Sequence, residues 1–188
     1  TSLYDILKQH KDVFLPTFKE PHFFDSYKSW NKGVAWYQSS YYSKANHQCV
    51  GDFTPTYLSN NLAPGRIQKV LGNQVKFVVI LRNPIDRAYS HYLHTQRDQH
   101  ENLSFTEALA EEQQRLHNYT KENDYIGMIR HAYQEQGMYA KQLERYFKLF
   151  DRGQFYITTF DNFVRKQEQV VKEICTFLGL KEQVGMQY

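Results

Sequence analysis

The sequence predicts an α/β fold, with a mainly parallel sheet flanked by helices, on three observations. Short apolar, β-branched runs at residues 76–81 and 154–159 alternate with longer helical patterns, as in chains assembled from strand–helix units. The run KFVVIL at 76–81 is continuously apolar after its lysine, the pattern of a strand covered on both faces. With 188 residues, 41% of them apolar and 16% aromatic, the chain is large enough to bury a core of its own. No repeat, low-complexity tract or Pro/Gly-rich linker interrupts it, so residues 1–188 read as one domain.

The elements follow in order. Residues 2–10 place Leu3, Ile6 and Leu7 at helical spacing. Residues 12–18 form a short strand broken by Pro16, and 49–53 another, closed by Thr54-Pro55. Residues 60–71 fit a helix weakened by Pro64-Gly65 near its start. After the 76–81 strand, a helix over 84–100 carries proline at its first position, where the missing N–H costs least. Ser104-Phe-Thr-Glu107 is a capping box opening a helix at 104–116. Tyr139, Leu143, Tyr146 and Phe147 share one stripe, which predicts a long helix over 130–150 with its tyrosines in the core. A strand at 154–159 and a helix at 166–178, stopped by Gly179, complete the pattern.

Composition narrows the function. A net charge of +3 is too mild to imply nucleic acid, yet it is compatible with an anion held in a local basic cleft. No apolar run approaches the roughly 20 residues of a membrane-spanning helix. Cys49 and Cys175 match no metal spacing and read as two buried thiols. His91, His94 and His100 have no paired carboxylates at ligand spacing, so they read as surface or supporting residues.

In open α/β sheets ligands sit outside the carboxyl ends of the strands. That rule brings residues 19–22, 52–55 and 82–84 to one rim. Arg82 leaves the 76–81 strand where its guanidinium fork can meet a phosphate, and Ser90 lies two turns into the next helix. Spacing alone leaves two readings: an anion site, or an ion pair of Arg82 with Asp86 beside a small packing serine.

LRNPIDRAYSHY, residues 81–92, resembles the 3′-phosphate-binding motif of sulfotransferases that use 3′-phosphoadenosine 5′-phosphosulfate (PAPS). FKEPHFFD, 18–25, is similar to the KE-x-HFF segment of heparan-sulfate and bacterial sulfotransferases, and GDFTPTYL, 51–58, to their acidic-x-TP-x-Y segment. GMYAKQLERYFKLF, FYITTFDNF and ICTFLGL resemble the later helices and strand, so the likeness spans nearly the whole chain.

The resemblance implies a P-loop NTPase-like sulfotransferase fold. It implies in-line transfer of a sulfuryl group from PAPS to an acceptor hydroxyl or amine, with 3′-phosphoadenosine 5′-phosphate (PAP) as product and no metal. Arg82 and Ser90 would hold the 3′-phosphate, and Thr1 and Ser2 would be the tail of the phosphosulfate loop. Glu20 would be the base, with His22 sharing or orienting it, and Lys19 and Asp52 would face substrate. The loop's strand, glycines and lysine do not occur in residues 1–188, nor does the family's glycine-and-basic segment near the carboxyl end. These residues are therefore expected to be a partial sulfotransferase domain, whose activity alone stays open.

Where heparan-sulfate enzymes often carry a lysine that meets the glycan, this chain has Phe53. That weakens a highly sulfated polysaccharide as acceptor and leaves small molecules, lipids, simpler glycans and carrier-bound chains. No nucleic-acid partner is implied, and the oligomeric state stays open. Likeness to bacterial members points to the cytoplasm, with the Golgi lumen as the alternative. Two other functions remain: a P-loop kinase with Asp52 on Mg²⁺, which metal-independent transfer would exclude, and an inactive nucleotide- or glycan-binding module.

Overall fold

The computed structural model describes residues 2–122 and 124–181. Their elements are α1 (Leu3–Leu7), β1 (Val13–Phe14), α2 (Tyr27–Trp30), α3 (Gly33–Tyr41), β2 (Cys49–Val50), α4 (Ala63–Leu71) and β3 (Phe77–Leu81). There follow α5 (Pro84–Arg97), α6 (Phe105–Glu122), α7 (Tyr125–His131), α8 (Tyr139–Phe147), β4 (Phe155–Thr159), α9 (Phe160–Arg165) and α10 (Gln167–Leu178). The fold is α/β, with the strands in two small sheets: β1 lies parallel to β2, in register Val13 with Cys49, and β3 neighbours β4. Every residue of β3 is only half-buried, less than its apolar run predicts, because a two-stranded sheet leaves an edge uncovered. No helix among the described residues is long and apolar enough to cross a membrane.

The chain divides into two compact units, Thr1–Ile80 with Arg145–Tyr188, and Leu81–Glu144. The first holds two apolar clusters. In one, Leu3, Ile6 and Leu7 of α1 pack with Val13 and with Val170, Val171 and Ile174 of α10. Cys175 lies in this cluster and half-buried Cys49 packs against it; both are free thiols. The other is aromatic and gathers Phe23, Phe24, Tyr37, Tyr57, Tyr146 and Phe150. Gly179 takes the left-handed conformation (φ 80°) and closes α10, with the Leu180 N–H donating to Cys175 O, as its place after the last apolar residue predicts.

The second unit packs Ala88 and Tyr92 of α5, Ala108 of α6 and Tyr133 into one core. Ser104 and Glu107 make the predicted capping box: the Glu107 carboxylate accepts from the Ser104 N–H at 2.9 Å. The long helix expected over 130–150 does not form. α7 ends at His131, and an irregular stretch leads to α8 at Tyr139. Side chains have taken the backbone partners that a helix needs. The fully buried Glu112 carboxylate accepts the N–H groups of Gln134 and Glu135 at 2.7–2.9 Å, and Arg87 donates to Tyr133 O.

Four helices went unforeseen: α2, α3, α7 and α9. Only Tyr37 of α3 is buried; Val34, Tyr37 and Tyr41 share its face and pack in the aromatic cluster, a stripe too short and too rich in polar neighbours to stand out in the sequence.

Candidate functional site

The segment Lys19–Asp25 is a strained loop of the first unit. Proline at 21 excludes the right-handed helical region for the residue before it. Glu20 (φ 56°) and His22 (φ 47°) both adopt the left-handed region, unusual for residues with a Cβ and costing on the order of 1 kcal/mol each. Such a shape persists only when its surroundings dictate it, and here they do. The Phe23 N–H donates to the Tyr57 hydroxyl at 3.0 Å, Arg66 donates to Phe24 O at 3.0 Å, and Asn60 to Asp25 O at 3.2 Å. The Phe23 ring stacks on Tyr37, with centroids 4.2 Å apart and planes 9° from parallel.

This loop sets three ionisable side chains in a row. Glu20 Oε2 lies 3.4 Å from His22 Nε2, and His22 Nδ1 lies 3.0 Å from Asp25 Oδ2. Thr56 donates its hydroxyl to that same Asp25 oxygen. The hydrogen bond to Asp25, followed by that to Glu20, raises the His22 pKa to about 9 against the burial that opposes it. His22 is therefore an imidazolium at neutral pH, donating from both nitrogens. The Asp25 side chain is fully buried, whereas Glu20 is 48% exposed, so the outer carboxylate of the row is open to a reactant.

Lys19 turns away from this row. Its ammonium sits 4.2 Å from the centroid of the Tyr4 ring and 3.6 Å from Asp5. Ser2 caps α1, its hydroxyl accepting from the Asp5 N–H and donating to the Asp5 carboxylate. Thr1 lies outside the described residues. Asp52 accepts hydroxyl protons from Tyr37 (2.7 Å), Tyr57 (2.8 Å) and Thr54 (2.6 Å). Burial raises its pKa, opposed by the bonds from Thr54, Tyr37 and Tyr57. Of the four positions expected to face substrate or perform catalysis, Glu20 and His22 are thus in direct contact, while Lys19 and Asp52 have other partners.

The sequence reasoning missed Asp25, Thr56 and Tyr57. The signal was present: HFFD places Asp25 three residues after His22, and TPTY supplies the two hydroxyls.

Arg82 and Ser90 belong to the second unit. Arg82 follows β3, and Asn83 caps α5, accepting from the N–H groups of Ile85 (2.9 Å) and Asp86 (3.4 Å). Both Arg82 and Ser90 are solvent-facing. Arg87 is more enclosed; burial, with the charge of Arg82 contributing, lowers its pKa. The Arg87 guanidinium is engaged by Tyr133 O and His91, while Arg82 just before α5 and Ser90 two turns into it present a charge and a hydroxyl to solvent. His91 accepts from Arg87 at 3.3 Å, and burial lowers its pKa to about 4, so it adds no charge at neutral pH. Among the described residues no three His, Cys, Asp or Glu side chains converge as a metal-binding cluster.

With its α/β fold and ordered motifs, the chain belongs to the sulfotransferase domain family, whose pattern it matches over residues 1–186. Individual relatives agree. It is 31% identical over 182 residues to heparan sulfate glucosamine 3-O-sulfotransferase 3B1 of Mus musculus, covering 96% of this chain and 43% of that protein. It is 29% identical to heparan sulfate glucosamine 3-O-sulfotransferase 6 of Homo sapiens, covering 97% and 49%. The chain thus spans about half the length of these curated relatives. A solved sulfotransferase from Alicyclobacillus acidocaldarius matches 99% of this chain and 80% of its own, at 30% identity and a TM-score of 0.79.

Proposed function

We propose that this chain is the core of a PAPS-dependent sulfotransferase in which Glu20 takes the proton from an acceptor hydroxyl or amine. The observation that carries this reading is the row Glu20–His22–Asp25 on a loop strained at both Glu20 and His22. Strain of that kind, held by surrounding bonds, is characteristic of functional loops. PAPS supplies an activated sulfuryl group with a nucleotide leaving group. The chain's own residues bind, orient and move a proton. Arg82 and Ser90 hold the 3′-phosphate, with Arg87 adding charge. Glu20 Oε1, the oxygen not facing His22, receives the acceptor proton, and the His22 imidazolium fixes the carboxylate and spreads its charge. General-base assistance of this type is worth about 10² to 10⁴ in rate.

The acceptor is a hydroxyl or amine on a glycan, lipid or small molecule. The named relatives support a glycan, whereas Phe53 argues against one that is densely sulfated. The test is calorimetric titration with PAP, using adenosine 5′-phosphate as control, on wild type and Arg82→Ala. A charge-assisted contact of about 1.5–3 kcal/mol predicts roughly 10- to 100-fold weaker PAP binding and loss of the preference for the 3′-phosphate. Equal binding of both nucleotides by wild type would remove the PAPS reading.

A further inference from the structure

Asp52 stands apart among the carboxylates of the first unit, because all its described partners are hydroxyls. Thr54 donates to Oδ1, while Tyr37 and Tyr57 donate to Oδ2. An ionised carboxylate accepts at about four lone-pair positions and donates at none. Three are filled here by neighbouring side chains, which leaves little room for an acceptor molecule. The polarity of the chain of bonds is also fixed. An ionised Asp52 only accepts, so Tyr57 gives it the phenolic proton and turns an oxygen lone pair towards the Phe23 N–H, 3.0 Å away. Phe23 directly follows His22, one of the two left-handed residues. Tyr37, the second phenol on Oδ2, is the ring on which Phe23 stacks. Both tyrosines that Asp52 orients therefore grip the same residue of the strained loop, one at its backbone and one at its side chain.

We infer that Asp52 is a positioning residue: through Tyr57 and Tyr37 it locks Phe23, and so holds the Glu20–His22 pair in its working shape. The inference rests on the reading of Glu20 as the base, and it gives Asp52 a role other than contact with the acceptor. Replacing the carboxylate by an amide removes the fixed polarity, since the amide presents one donor side and one acceptor side. Removing only the Tyr57 hydroxyl keeps the ring in its core but cuts the bond to Phe23.

The test uses the 188-residue chain as Asp52→Asn, Tyr57→Phe and the double variant, with two readouts. In the first, NMR titration of His22 follows its imidazole signals with pH. Both single variants are expected to bring the His22 pKa down from about 9 towards the ordinary value of about 6.5, because the loop no longer holds it against Asp25 and Glu20. In the second, steady-state kinetics should show kcat falling about tenfold with the acceptor KM nearly unchanged. The double variant should be little worse than the poorer single one, because both changes cut one chain of bonds. A raised acceptor KM in Asp52→Asn, with His22 titration and Tyr57→Phe kinetics as in wild type, would overturn the inference and make Asp52 an acceptor ligand. Should Asp52→Asn fail to fold, Tyr57→Phe decides alone by the same two readouts. If wild type transfers no sulfuryl group and also binds PAP and adenosine 5′-phosphate equally, the proposed function falls. The His22 titration then decides the positioning role by itself: a lowered pKa in Tyr57→Phe upholds it, and an unchanged one overturns it.

Discussion

His22 gives the residue scale its sharpest consequence. The carboxylates facing it are Glu20 and Asp25, with the Thr56 hydroxyl beside Nδ1. Their bonds raise its pKa to about 9, above the 6.5 expected of an exposed imidazole. Between those values the folded chain keeps a proton that the unfolded chain releases, so stability falls as pH rises through that window. The contribution is fully present below about pH 6.5 and gone above about pH 9. Urea midpoints at about pH 6, 8 and 10 should therefore decline, and His22→Gln should flatten that part of the profile. The same scale shows what a motif can and cannot reveal. Glu20, His22, Arg82 and Ser90 could be singled out as candidates because their segments resemble known ones. Asp25 and Tyr57 were not singled out, since a buried carboxylate and a buried phenol look ordinary in a sequence until their partners, 31 and 34 residues away in the chain, are seen.

Among the elements, what the sequence spelled locally came out well: the capping box at Ser104–Glu107, the proline start of α5 and the glycine end of α10. Each is decided by contacts between near neighbours in the chain. The failure at 130–150 is non-local, because the carboxylate that interrupts the helix comes from Glu112 on α6 and the guanidinium from Arg87 on α5. No periodicity within 130–150 encodes either. The end of α10 carries its own prediction. Gly179 sits at φ 80° with open space where a Cβ would stand, so Gly179→Ala meets no clash but incurs the left-handed penalty. A loss of about 1 kcal/mol is expected, visible as a lower urea midpoint with an unchanged slope. A larger loss would mean that α10 and the apolar cluster it shares with α1 shift as well.

At the scale of the whole molecule, the division into two compact units could not be read from the sequence, because its boundaries fall inside elements: at the end of β3 and within α8. No linker marks the break within α8, and the Arg82-Asn83-Pro84 that follows β3 reads as an ordinary strand-to-helix turn. Whether the units open separately turns on the buried ion pair of the second one. Glu101, 3% exposed, accepts from Arg115 at 2.6 and 3.2 Å, from Tyr133 at 2.9 Å and from the N–H groups of Asn102 and Leu103 at 3.0 Å. Burial alone would raise its pKa, but these bonds, Arg115 foremost, bring it to about 2. Its contribution is present above the ordinary carboxylate range and lost as pH falls towards about 2. Arg115→Met keeps much of the length of the side chain and removes its charge, leaving the carboxylate buried without its cation. The expected cost is about 3 kcal/mol at neutral pH. With Arg115 gone, burial is less opposed and the Glu101 pKa rises, so acidification should protonate the carboxyl and shrink the deficit, the reverse of the wild-type trend. Hydrogen exchange at about pH 7 then locates the damage. Faster exchange confined to residues 81–144 means the second unit opens by itself; equal acceleration in both units means the chain unfolds as one cooperative block.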